Sequence, residues 1–243
     1  MTAIGFQLYS LHGVADPLPA VIERVGAAGF DGVELAGLDD HDLTEITDAL
    51  TAADLDVAGA HVGLDEIEED PEQVAETYGP LGCDDVVVPW LGPEHFESVA
   101  AVEAAAERLD AATAALADYG LSLHYHNHDQ EFTTLDGEPA LSTLVAATEH
   151  VGFELDLGWV GAAGYDPLTV LGDYADRVRI VHLKDYNAET GDVVEVGDGD
   201  LDVAAAIAAV REHGCDWLVY EAEERPDSYD TLDHAADVVE THW

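Results

Sequence analysis

GFELDLGWVGAAGYDPLTVLGDYADRVRIVHL, residues 152–183, decides the fold. A short β-rich run, Gly152 to Asp156, ends in a carboxylate. Asp166-Pro167 then opens a helical stretch that reaches Tyr174, and a second apolar run follows from Val178 to Leu183. Apolar strands that alternate with helical segments are the pattern of parallel strands joined by crossover helices.

The unit recurs in both directions. Further strands are expected at Ile4 to Leu11, Gly32 to Ala36, Val57 to His61, Asp85 to Trp90, Leu121 to His126 and Trp217 to Glu221, which makes eight. Helices are expected at Pro17 to Ala28, Asp42 to Ala53, Pro71 to Tyr78, His95 to Tyr119, Pro139 to Thr148, Pro167 to Tyr174, Leu201 to Glu212 and Tyr229 to Thr241. Several begin near Pro or Asp and end near Gly, as at Gly29, Gly120 and Gly214. Eight such units without a Gly-rich phosphate fingerprint favour a closed (β/α)8 barrel of α/β class over a doubly wound sheet. The 243 residues, 48% of them apolar, fit one such domain over 1–243.

The charge sets the environment. Asp and Glu number 53 against 7 Lys and Arg, a net of −46. The carboxylates are spread over every expected helix, and the apolar content is too high for a disordered acidic segment. Such self-repulsion is tolerable where the Debye length falls to about 3 Å, as at 1 M salt. The expectation is a halophilic, haloarchaeon-like source, and an acidic surface excludes nucleic acid as a partner. No run of about 18 uncharged apolar residues and no basic leader appear, so a cytoplasmic protein without a membrane partner is expected. Cys83 and Cys215 lie far apart and read as small buried residues.

Chemistry in such barrels gathers at the C-terminal strand ends. These positions carry Gln7 and His12, Glu34, His61, Trp90, then His124, His126, Asn127 and His128, then Asp156 and Trp159, then His182, Lys184 and Asp185, and finally Glu221 and Glu223. Glu34 lies on a strand that should be buried and needs a partner, which a substrate pocket supplies. Trp90 reads as a plug of the barrel mouth, Trp159 as a wall for a sugar ring. Lys184 is the only lysine, so a substrate oxygen or a site carboxylate explains it better than a solvated surface. Asp156, His182 and Glu221 mix carboxylate and imidazole as a Mn, Co, Mg or Zn site does while leaving positions open for substrate.

Taken together and in order, Tyr125-His126-Asn127-His128-Asp129-Gln130-Glu131-Phe132, Leu155-Asp156-Leu157-Gly158-Trp159, His182-Leu183-Lys184-Asp185 and Glu195-Val196-Gly197-Asp198-Gly199 resemble the sugar phosphate isomerase/epimerase family of xylose isomerase-like barrels. The resemblance implies one divalent metal and isomerisation, epimerisation or dehydration of keto-polyols. It maps metal positions onto Asp156, His182 and Glu221. The better-known members place a Glu two residues before the His of the fifth strand, where this chain has His124. Glu131 is expected to replace it as fourth ligand, with His126 or His128 as competitor.

A phosphate-bearing substrate is not expected: among strand-end positions only Lys184 and Arg225 are placed to meet an anion, and the Gly197–Gly199 loop carries its own Asp198. The expected reaction is metal-assisted enolisation of a neutral keto-sugar or inositol-derived ketone through an enediolate. Glu221 or Glu131 would serve as base, His61 or His182 would orient oxygens, Lys184 would hold developing charge, and Glu34, His126 and Trp159 would contact substrate. A dehydratase of an inosose-type ketone and a non-catalytic sugar-binding barrel are the alternatives. A homo-oligomer is compatible with the sequence, which singles out no interface.

Overall fold

A computed structural model describes residues 1–38 and 41–243. Eight parallel strands close into a barrel: Ala3–Gln7, Gly32–Leu35, Asp56–His61, Asp85–Val88, Ser122–His126, Gly152–Asp156, Val178–Leu183 and Trp217–Tyr220, the last pairing with the first. Helices such as Leu18–Ala27, Leu43–Ala53, Val99–Ala117 and Val203–His213 surround it. Asp42, Asp70, Ser98, Asp166 and Asp202 cap five helices by accepting from backbone amides two or three residues on, which is why acidic and hydroxyl residues start these segments.

Two expected elements depart most from the sequence reading. The first strand stops at Gln7 and the chain turns into a 3-10 helix, Leu8–Leu11, because the Gln7 side chain accepts from Tyr9 N. The long helix expected from His95 is split, with a 3-10 turn at Pro93–Phe96 and the helix proper starting after Ser98. Two further helices, Leu64–Glu69 and Leu157–Ala162, follow the third and sixth strands directly and are absent from the sequence reading.

The barrel interior is packed by unequal side chains. Trp217 enters from the N-terminal end and rests against a small inner cluster of Ala58, Val87, Ile180 and Val219. Gly32 makes room for it: a Cβ there would lie 2.6 Å from the indole. Gly152 does the same for His124, whose Nδ1 would stand 2.2 Å from an added Cβ. Glycine at these two strand positions is a packing requirement. Trp217 therefore fills the N-terminal end of the barrel. Trp90, expected to plug the mouth at the other end, is 54% exposed. Both cysteines are free and buried. No helix among the described residues is long and apolar enough to cross a membrane.

Candidate active site

Side chains two apart on a strand share a face, so Glu154 and Asp156 both point into the barrel, one layer above the other. They meet His126 from the fifth strand, His182 from the seventh, and Glu221, which follows the eighth. Two overlapping groups result: His61, His126, Glu154 and His182 below, and His126, Asp156, His182 and Glu221 above, with donor atoms in each lying within 4.8 Å of one another. All but His61 are buried.

Local structure aims these groups. Asp156 caps the helix Leu157–Ala162, its Oδ1 accepting from Trp159 N at 2.9 Å, which fixes the carboxylate and leaves Oδ2 buried without a hydrogen-bond partner. Asn127 ties the neighbouring strand ends together, its Oδ1 accepting from Asp156 N at 3.0 Å. His182 is held from both sides: Nδ1 lies 2.8 Å from Glu221, and Nε2 lies 2.6 Å from Glu34 and 3.1 Å from Glu154.

This upper group fits a divalent ion. Imidazole and carboxylate are the donor types such ions take, with ligand bonds of about 2.0–2.2 Å. Asp156 Oδ2 stands 3.8 Å from His126 Nε2 and 3.9 Å from His182 Nδ1. Those separations are too long for hydrogen bonds yet short enough for a shared ion. Oδ2 accepts no hydrogen bond and has the Lys184 ammonium at 3.4 Å, so this buried carboxylate oxygen is open to a closer cation. When Nδ1 of His182 faces the ion, its Nε2–H donates to Glu34 and Glu154, which fixes the ring orientation.

The electrostatics follow from burial. Burial first, and the charge of Glu154 second, push Glu34 up to about 7. Burial acts the same way on Glu154, but the His182 charge and hydrogen bonds from Glu34, His126 and His182 outweigh it and hold Glu154 well below the ordinary range. His182 is desolvated too, yet Glu154, Glu34 and Glu221 keep it well above 6.5. His128, which carries no such partner, is pushed down to about 2 by burial and by His126 and Lys184.

The structure does not bring Glu131 into this cluster. Tyr125, next to His126 on the strand, points to the opposite face, and its hydroxyl donates to Glu131. The other carboxylate oxygen accepts from His128 N at 2.8 Å. Glu131 is thus held on the outer side of the strand, and the residue that stands beside Asp156, His182 and Glu221 in the group with metal-ligand spacing is His126, its competitor. His124 faces inward but lower, with Nε2 2.8 Å from Asp85.

Lys184 is 1% exposed, its ammonium 2.6 Å from Glu223, 2.9 Å from Glu221 and 3.4 Å from Asp156. Of the two roles expected for it, pairing with site carboxylates is the one the geometry displays. Burial opposes its charge, but Glu221, Asp156 and Glu223 raise it above its ordinary value. His12 sits at the exposed rim, bonded to the carbonyl of Tyr9.

Above the cluster opens a cavity of about 570 Å³. His61, His126 and Glu221 line its floor, His128 and Trp159 its side, and Tyr9, Tyr78 and Trp90 reach it as well. His128 Nδ1 and Trp159 Nε1 are buried without a partner. Glu66 and Glu223 are its further charged lining, with no arginine or lysine there among the described residues. The backbone amides of Gly197, Gly199 and Leu201 all donate to Asp185, at 2.9, 3.1 and 2.9 Å, so the chain's own carboxylate fills that nest. Arg225 is paired with Glu195 at 2.6 Å.

A model described as xylose isomerase-like TIM barrel matches residues 22–241. The chain belongs to that family. Among solved structures, this barrel superposes on a sugar phosphate isomerase/epimerase from Parabacteroides distasonis with a TM-score of 0.85, at 19% identity over 99% of this chain and 97% of that one. Inosose dehydratase from Bacillus licheniformis is 24% identical over 270 aligned positions, 92% of this chain and 86% of that protein. The match to inosose dehydratase from Lacticaseibacillus casei is 26% over 136 positions, and covers 49% of this chain and 46% of that protein. Against that relative the barrel is matched over about half its length.

Glu154 is the site residue that sequence reasoning missed. Its signal was the period of two: placing Asp156 at the inner face of the sixth strand places Glu154 there too.

Proposed function

We propose that this barrel is a metal-dependent enzyme that moves the proton α to the carbonyl of a neutral keto-sugar or related polyol, as an isomerase or epimerase. The observation that carries it is the group of His126, Asp156, His182 and Glu221, whose donor atoms lie within 4.8 Å of one another beneath a cavity, with Asp156 Oδ2 making no hydrogen bond and only a 3.4 Å ion pair with Lys184. A divalent ion held there supplies a Lewis acid that makes a proton next to a carbonyl easier to remove.

The chain's own groups divide the remaining work. Glu34 and Glu154 hold the His182 ring. Lys184 offsets the charge of Asp156 and Glu221 and fixes Glu223 at the cavity wall. Glu66, Glu221 and Glu223 are the carboxylates that reach the cavity, and Glu223, which stands outside the metal group and beside Glu221 on the same strand end, is the one we assign to carry the proton between carbons. The His61 ring faces the same space and orients a substrate oxygen, while His126 and Trp159 shape the pocket around the sugar. The acidic lining and the filled nest support an uncharged substrate.

The resemblance to inosose dehydratases favours a second reading, in which the same proton removal is followed by loss of a β-hydroxyl from a cyclic keto-polyol. Incubation of manganese- or cobalt-loaded protein with keto-sugars and inososes in deuterated high-salt buffer separates the two. Isomerisation or epimerisation puts deuterium on carbon without loss of water, whereas a dehydratase releases an absorbing unsaturated product. Asp156→Ala, folded by circular dichroism, is expected to do neither. Full exchange in that variant would remove the metal group from the mechanism, and no exchange or elimination by the loaded parent with any ketone would overturn the enzymatic reading.

A further inference from the structure

We propose that the aromatic mouth of the cavity is a second binding subsite. It takes a ring attached to the reacting sugar, so that the substrate class is a keto-glycoside and not a free monosaccharide. The proposal rests on the reading of the floor given above and names what lies beyond the reacting carbons.

Size is the first observation. A hexose occupies roughly the space of six waters, each about 30 Å³. The cavity holds about 570 Å³. One ring over the metal group therefore leaves most of it unfilled.

The second observation is the distribution of exposed apolar surface. The exposed large apolar side chains among the described residues are Met1, Tyr9, Trp90 and Tyr119, and two of these four, Tyr9 and Trp90, line this one cavity. An aromatic face left in water at the mouth of a concave site is where a ligand ring stacks. Tyr9 is fixed in place, not free to collapse inward. Its backbone amide donates to Gln7 at 2.9 Å, Gln7 donates to Glu34 at 2.7 Å, and its ring stacks on His12 at 4.3 Å. The same chain of bonds that anchors the floor thus sets the mouth.

The third observation is charge. Glu66 and Glu223 border the cavity, so an anionic attachment is repelled while a neutral ring is not.

Binding of simple glucosides tests this without requiring turnover. Manganese-loaded protein in multimolar KCl is titrated calorimetrically with methyl β-glucoside and phenyl β-glucoside, in the parent and in Trp90→Ala and Tyr9→Ala. The phenyl compound is expected to bind at least about tenfold more tightly to the parent, and the ratio to shrink toward one in both variants. Equal affinities in the parent, a ratio that survives both substitutions, or no binding of either probe would overturn the proposal. So would concentration-dependent self-association that buries Trp90, because the mouth would then be an interface between copies. Failure of deuterium exchange removes the enzymatic reading but leaves this ratio measurable, so the two ideas fail separately.

Discussion

Glu131→Gln separates a metal ligand from a buried structural carboxylate. Glu131 lies wholly inside, and burial pushes it up to about 7 from 4.5 despite donors from Tyr125 and the His128 amide. A carboxyl whose folded value is raised contributes stability that is fully present below the unfolded value and is lost as pH rises through the folded one. Here the window runs from 4.5 to about 7. At about 1.36 kcal/mol per unit the loss is on the order of 3 kcal/mol, roughly 2.5 of it between pH 5 and pH 8. Gln does not titrate, and comparing parent with variant cancels the other carboxylates. Urea unfolding of both at constant high salt should show the parent's advantage shrinking by about that amount as pH rises from 5 to 8. Metal content in Glu131→Gln should equal that of the parent. A stability difference that stays flat with pH, or loss of metal in the variant, would refute the placement of Glu131 outside the cluster.

Other outcomes follow from the same geometry. Asp156→Ala and His182→Ala should each lose bound metal by elemental analysis while the barrel persists, since neither side chain packs the apolar core. Gly152→Ala should destabilise by about 1–3 kcal/mol in thermal or urea melts, because its Cβ would collide with the His124 ring; an unchanged midpoint would mean that His124 has another place to go. We infer a halophilic protein from the net charge of −46, so lowering KCl from multimolar to dilute should cause loss of helical signal. A salt-independent melt argues against that inference.

Most of the architecture was legible from period and punctuation. Pro71–Tyr78 and Pro167–Tyr174 begin and end as expected because Asp-Pro starts a helix and caps it. The boundaries that miss by most are those set by one side-chain bond: Gln7 curling the chain after the first strand, and Ser98 restarting a helix that periodicity runs together. At the site, Asp156, His182 and Glu221 were readable as strand-end residues. For the residue beside them the sequence offered Glu131 first, with His126 or His128 as competitor, and the structure brings His126 to the group and not Glu131. Its carboxylate is captured by a tyrosine on the outer face, a contact that no spacing rule contains.

Lys184 shows how the cluster balances its charge. Around it stand Asp156, Glu221 and Glu223, and beneath lie Glu34 and Glu154 sharing His182. A lone buried ammonium would be expelled or neutralised, but three carboxylates within 3.4 Å keep it charged. Lys184→Met would leave those carboxylates facing one another without that cation. Breaking a buried ion pair from one side costs about 3–5 kcal/mol, so the metal-free variant should melt well below the parent. A divalent ion added to the cluster supplies positive charge in the same place, and should therefore raise the melting temperature of Lys184→Met by more than it raises that of the parent. Differential scanning calorimetry of both proteins, with chelator and with manganese, measures that difference. Equal metal-induced shifts would mean that Lys184 and the ion do not share the charge of Asp156 and Glu221, and the metal group drawn from these residues would have to be redrawn.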